Sequence, residues 1–275
     1  MQSYCIGATR DVALSPMVSL TGRVVKAPLD LNPEIDWPAL SPRFAASGRI
    51  QISDFLSAPS ADALHRALVA RHDWRHVISA GAKVFEVART DLDAMPAAQI
   101  AALEQALHAE ATRQFRFRYD LIRTPEPLPP LAEADAGAEH DIPTGEDPLI
   151  GFARLINAPA TLARLRRLAP GLGLDFADAQ ATRYTPGDFL TRHDDAVAGK
   201  GRLMAYVLGL TPDWAAEWGG LLLFHGPDGS IVETFAPRFN ALSLFTVPQP
   251  HSVSFVAPYA GAARISVTGW LRTRE

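Results

Sequence analysis

The chain has 275 residues, 48% of them hydrophobic and 20% charged, with a net charge of −4. That is enough apolar material to bury a sizeable core in one large domain or two small ones. The mild acidity, with no basic stripe, argues against a nucleic-acid partner, and a single cysteine, Cys5, excludes an internal disulfide or a thiolate metal site.

Residues 1–47 are rich in proline and small residues and read as an irregular extension, with one possible strand at "VSLTGRVVKA". They lack the basic start and apolar stretch of a signal peptide. No run in the chain approaches the roughly 20 apolar residues of a membrane span, so a cytoplasmic protein is expected. From residue 48 a single domain is expected, helical over 48–174. "GRIQISDFLS" suggests a strand entering a helix, and "SADALHRALVARHDW" is that helix, with Ser60 as its cap and Leu64, Leu68 and Val69 on one face. The longest helical pattern spans 95–122, with Pro96 suited to its first turn. "RQFRFR" within it and "RLRR" at 164–167 read as solvated helix faces. Residues 123–148, rich in proline and acid, read as a loop bordering whatever lies beside it. One or two helices are expected over 149–170.

The pattern changes at about residue 175. Eight short runs rich in β-branched and aromatic residues follow, from "FADAQATRY" to "ARISVTGWL", broken by glycine, proline and aspartate. A hairpin turn is marked at Gly226-Pro227-Asp228-Gly229. Eight strands over 175–272 predict a two-sheet jelly roll, and the whole is an α+β fold with the N-terminal helices packed on one sheet.

The chemistry concentrates in "TRHDD". In a strand, residues two apart share a face, so His193 and Asp195 project together and Asp194 points away, as a structural or loop-capping residue. A second imidazole would complete a two-His-one-carboxylate set, which leaves positions open and suits Fe(II) oxygen chemistry. Of the eight histidines, His65, His72, His76 and His108 fall in helical patterns, His140 in the acidic loop, and His225 beside the hairpin turn. His251, opening the strand "HSVSFV", is the remaining candidate. In "ARISVTGWL" the same period places Arg264, Ser266, Thr268 and Trp270 on one face. An arginine facing a small barrel's interior is costly unless an anion meets it. Arg264 with Ser266 would suit the carboxylate of a dicarboxylic keto acid. Arg202, at the start of a strand, reads as structural.

Residues 181–272 resemble the Fe(II)- and 2-oxoglutarate-dependent dioxygenases of the prolyl-4-hydroxylase-like branch. The resemblance is carried by "YTPGDFLTRHDD" (Tyr184, Gly187, Phe189, His193, Asp195), "GRLMAYVLGLTPDW", "WGGLLLF", "PRFNALSLF" (Asn240, Phe245), "HSVSFV" and "RISVTGWL". "GRIQISDFLSAPSADALHRAL" is a weaker upstream echo. The order of these motifs is similar to that of prolyl hydroxylases acting on a ribosomal protein, and of their bacterial relatives. The resemblance implies Fe(II) on His193, Asp195 and His251, and 2-oxoglutarate and O2 as co-substrates. It further implies that the keto acid's distal carboxylate reaches Arg264 with help from Ser266, with a Tyr184 hydroxyl as the alternative to a wider pocket where Gly209 replaces the usual aromatic residue. The implied reaction is hydroxylation of an unactivated C–H bond in a prolyl residue of a protein or in a free small molecule. A non-catalytic binding or sensing module is the rival. One departure is Gly209, which stands where many relatives carry an aromatic residue beside the oxoglutarate, and a wider pocket is one consequence it would have.

Overall fold

The computed structural model describes residues 29–81, 83–126, 128 and 146–274. The strand expected at 18–27, Cys5, His140 and most of the expected loop at 123–148 lie outside them. The N-terminal half contains α1 (Trp37–Ser47), β1 (Arg49–Ile52), α2 (Ala58–Val69), β2 (Arg75–Ala80), β3 (Lys83–Ala88), α3 (Arg89–Asp93), α4 (Ala97–Ala111) and β4 (Phe117–Arg123). Then come α5 (Pro148–Asn157), α6 (Pro159–Leu168), β5 (Phe176–Ala177), β6 (Gln180–Tyr184), β7 (Phe189–His193) and β8 (Arg202–Gly209). The chain ends with β9 (Leu222–His225), β10 (Ile231–Phe235), β11 (Ala241–Thr246), β12 (His251–Val253) and β13 (Arg264–Arg272).

The strands run in the order β1-β11-β8-β13-β6-β4-β7-β12-β9-β10, every neighbouring pair antiparallel. The path curls into a nearly closed barrel. Its two ends are tied by an Arg49–Glu233 ion pair and by Gln51 Nε2 donating to the Ala236 carbonyl at 3.1 Å. This is the double-stranded β-helix expected from the strand series.

Period two decides what each face does. Ile50 and Ile52, Leu242 and Leu244, Met204 and Leu208, and Val267 and Leu271 point outward under the helices. There they join Phe44 of α1, Leu64 and Leu68 of α2, Phe152 of α5 and Leu165 of α6 in one core. The alternate residues Ala205, Phe245, Arg264 and Trp270 of these strands, with Thr182 and Tyr184 of β6, face the barrel interior. The helices therefore cover one sheet from outside and leave the inside for polar groups.

Four expectations need correction. Trp37–Ser47 is a helix, not part of an irregular extension, and Leu29, Leu31, Leu40 and Phe44 belong to the main core. Two prolines disguised it: one lies in the first turn, where its missing N–H costs nothing, and Pro42 removes a single internal bond. Helix α2 begins at Ala58 after Ser57, and Ser60 instead accepts the Asp30 N–H at 2.9 Å. The region 48–174 is only partly helical, because β2 and β3 form a hairpin that docks through β2 on β4. His76 accordingly lies on a strand. Finally, the helix expected over 95–122 stops at Ala111, and its last turns are β4, which joins the two halves of the barrel by pairing with both β6 and β7.

Candidate metal centre

His193 ends β7 and His251 begins β12, and the two are cross-strand partners with ring centroids 4.1 Å apart. Asp195 does not continue the strand. Its φ of +65° turns the chain back after His193, and this turn brings the carboxylate to both imidazoles. Oδ1 lies 3.4 Å from His193 Nε2, and Oδ2 lies 3.5 Å from His251 Nε2. One donor atom from each residue falls within 4.8 Å of the others. Asp194 turns away and caps the loop, accepting the Ala196 N–H at 3.0 Å.

The outer nitrogens set the tautomers. His193 Nδ1 is 3.0 Å from the Thr191 carbonyl, and His251 Nδ1 is 2.8 Å from the Gln249 carbonyl. A carbonyl only accepts, so each Nδ1 carries a proton, and each Nε2 is the nitrogen that faces the Asp195 carboxylate. Burial, then the neighbouring His193, lower the His251 pKa to about 4, so its ring is neutral near pH 7. Burial works against the Asp195 charge, but the hydrogen bond from His193 and the proximity of His251 outweigh it and hold the carboxyl below its ordinary value. A divalent cation binds the lone pairs of two imidazole Nε2 atoms and one carboxylate, and its uptake would displace any proton held between them.

Across a cavity of about 310 Å³ sits Arg264. It is buried, its Nε has no hydrogen-bond partner, and among the described residues no acid pairs with it. Burial lowers its pKa from the ordinary arginine value, and its one electrostatic neighbour is the Tyr184 ring, 5.1 Å beneath the guanidinium. Tyr184 is itself buried, which pushes its phenol well above the usual range and leaves it a neutral donor. Ser266 sits deeper than expected: its hydroxyl meets Thr182 Oγ1 at 2.9 Å, and Thr182, not Ser266, lines the cavity. Gly220 leaves room for Arg264, since a Cβ there would approach Arg264 Cδ to 2.9 Å. Gly209 does not widen the cavity. A Cβ at that position would lie 2.3 Å from the Arg238 carbonyl oxygen, so the missing side chain makes way for backbone rather than for ligand.

Two further groups of cavity residues had no role in the site on the sequence alone. Phe117 and Tyr119 of β4, with Phe115 just before it, share one face and stack in series with centroids 5.5 and 5.7 Å apart. The row starts over His193, 5.2 Å from Phe115, and ends on Tyr184, 5.2 Å from Tyr119. Its alternation "FRFRY" was the available signal. The other group is Arg202 and Trp270, with the guanidinium 3.5 Å over the indole ring.

A barrel of this topology is a double-stranded β-helix, with two imidazoles and a carboxylate that could hold one metal ion at one end and, at the other, a buried arginine that no acid among the described residues pairs with. Residues 179–272 match the family model of the 2OG-Fe(II) oxygenase superfamily. Over 100 residues the chain is 38% identical to prolyl 3-hydroxylase OGFOD1 of Xenopus laevis, covering 34% of this chain and 19% of that one. Over 112 residues it is 32% identical to prolyl 3-hydroxylase sudestada1 of Drosophila melanogaster, covering 36% and 20%. The chain thus matches about a fifth of the length of these curated relatives. Its fold is shared with a Pseudomonas putida prolyl-4-hydroxylase at TM-score 0.52 and 22% identity, over 87% of this chain and all of the other. The fold also matches a Trichoplax adhaerens prolyl hydroxylase, solved with a hypoxia inducible factor peptide fragment, at TM-score 0.53 and 16% identity over 86% and 88%. No helix among the described residues is long and apolar enough to cross a membrane.

Proposed function

We propose that the chain is an Fe(II)- and 2-oxoglutarate-dependent oxygenase that hydroxylates a prolyl residue of a protein. The observation that carries this reading is Arg264, a buried and uncompensated cation that shares a cavity with the His193, Asp195 and His251 donors. A buried charge of this kind is costly until an anion arrives, and a keto acid with a distal carboxylate can reach both ends of the cavity. When bound, Fe(II) would supply the redox chemistry that couples O2 reduction to decarboxylation of the keto acid, one oxygen atom leaving in succinate and one entering the C–H bond.

The chain's own residues hold the reactants. His193, Asp195 and His251 would hold the metal, a three-ligand set that would leave positions for the reactants. Arg264 takes the distal carboxylate through its planar fork, with Thr182 and Tyr184 beside it. The Phe115–Phe117–Tyr119 row keeps water from one wall and gives an apolar ring somewhere to lie. Phe115, 44% exposed beside His193, favours a polypeptide that reaches in from solvent, in keeping with the names of the relatives. A cytoplasmic setting belongs to this reading and is supported by the single cysteine.

The test is turnover. Protein supplied with Fe(II), 2-oxoglutarate and O2 should release succinate, and Asp195→Ala should abolish that release. Mass spectrometry of the host proteome with and without the gene should find prolyl peptides heavier by one oxygen atom. Gains confined to free metabolites would replace the protein substrate with a small molecule. A parent protein that neither binds iron nor forms succinate would leave a non-catalytic module.

A further inference from the structure

Asp195 is the one member of the donor set that no strand holds. It lies beyond the end of β7 in the left-handed region, which a non-glycine residue occupies only when its surroundings enforce it. The enforcing contacts come from the far side of the loop between β7 and β8. Arg202 Nη1 donates to the Asp195 carbonyl at 3.2 Å. The same guanidinium rests 3.5 Å over the Trp270 ring, and Trp270 is fixed in β13 by its backbone N–H to Asp178 Oδ1 at 2.7 Å. The Trp270 indole N–H is buried, has no hydrogen bond of full geometry and stands beside the Asp195 carboxylate. Next to this stack the loop is tied to β13 twice more, by Arg272 Nε to the Lys200 carbonyl at 2.7 Å and by the Thr273 N–H to the Gly201 carbonyl at 2.9 Å.

We infer that Arg202, clamped on Trp270, is a positioning residue that holds Asp195 in its left-handed turn and so sets the carboxylate where a metal needs it. This rests on the metal reading of His193, Asp195 and His251 given above. Electrostatics alone would give Arg202 the opposite effect, because a cation near a divalent ion repels it and weakens binding. Removing the charge should therefore tighten the metal site if Arg202 is only a nearby charge. It should loosen the site if Arg202 is a clamp. The sign of the change separates the two roles.

The experiment is a Co(II) titration of the full chain, without 2-oxoglutarate or substrate, followed by the visible absorption of the bound ion. Far-UV circular dichroism and thermal melts report folding in parallel. Arg202→Met should weaken Co(II) binding by about 10-fold or more, the range seen when groups orienting metal ligands are removed, and should alter the absorption band. Arg202→Lys, which keeps the charge and a donor but not the stacked plane, should fall between Met and parent. Trp270→Leu should match Arg202→Met, and the double variant should be no worse than either, as expected for two parts of one device. Affinity equal to or tighter than the parent's in Arg202→Met, or losses that simply add in the double variant, would overturn the clamp. If Arg202→Met does not fold, Arg202→Lys decides alone: a loss of about threefold or more supports the clamp, and parent-like binding sinks it. A parent protein that binds no Co(II) would instead remove the metal reading itself.

Discussion

At the scale of single residues, the cost of function is concentrated in Arg264. A guanidinium with no acid within reach among the described residues, stripped of water and stacked on a neutral phenol, destabilises the ligand-free fold. Met has nearly the same length and none of the charge. Arg264→Met should therefore raise the ligand-free protein's stability by about 1 kcal/mol or more, a gain of about 2–4 °C in the melting temperature for a chain of this size. The same change should raise the 2-oxoglutarate KM by at least about tenfold, since one charge-assisted bidentate contact is lost. Differential scanning calorimetry and a succinate assay read the two halves. A variant that melts below the parent would show that Arg264 already has a structural partner, and the keto-acid role would fall. Such a trade of stability for binding is expected at a functional site.

At the scale of elements, β4 is the strand on which the barrel depends, and it is also where the sequence was hardest to read. It follows α4 with no glycine or proline between, and its "FRFRYDLI" offers cations and aromatics at spacings that suit a helix as well as a strand. Only tertiary partners decide the matter: β2 on one side, reached after some forty residues, and β6 and β7 from the far half of the chain. Misreading it hid Phe117 and Tyr119, whereas His193 and His251 were legible because each lies on a short strand bounded by turn residues, and Arg264 because it opens a long strand with clear alternation. Asp195 was found by strand periodicity, although what delivers it is a left-handed turn that periodicity does not contain. Asp120 is what locks β4 in place. Wholly buried, it accepts from His76 of β2 at 2.7 Å and from Arg183 Nε and Nη2 of β6 at 2.9 and 2.7 Å. Burial pushes its carboxyl up, but those hydrogen bonds outweigh burial and leave it below the ordinary value. A depressed folded pKa means stabilisation that is complete above the unfolded value of about 3.9 and lost as pH falls through the folded value. Asp120→Asn should cost about 2–3 kcal/mol at neutral pH, because it weakens the charge-assisted hydrogen bonds from buried His76 and from the partly exposed Arg183. It should also lose less further stability than the parent as the pH drops below about 4. Urea melts across that range provide the measurement, and equal slopes for the two proteins would refute the assignment.

At the scale of the whole molecule, the donors and the arginine lie on opposite sheets. His193 and His251 come from β7 and β12, and Arg264 comes from β13, which packs under the helices. Each sheet was recognisable from its period-two pattern, but the distance between them was not, because it depends on how far the barrel closes and on side chains such as Arg49 and Glu233 at its seam. On the proposed function, a keto acid held by a metal on one sheet and by Arg264 on the other would tie the two sheets together. Metal alone engages only β7, β12 and the turn at Asp195, while the keto acid alone meets Arg264 without a second anchor. Each added singly, under argon, should shift the melting temperature modestly. Both together should shift it by more than the sum of the two. A ligand present at about 100 times its dissociation constant stabilises the fold by roughly 2.7 kcal/mol, which at this chain length corresponds to about 5–10 °C. A chelator should reverse the whole shift, including the part that 2-oxoglutarate added, because the keto acid loses its anchor with the ion. In Arg264→Met the metal shift should survive and the cooperative part should vanish. Shifts that merely add in the parent would mean that the two ends of the cavity bind their ligands independently, and the bridge across the barrel would have to be abandoned.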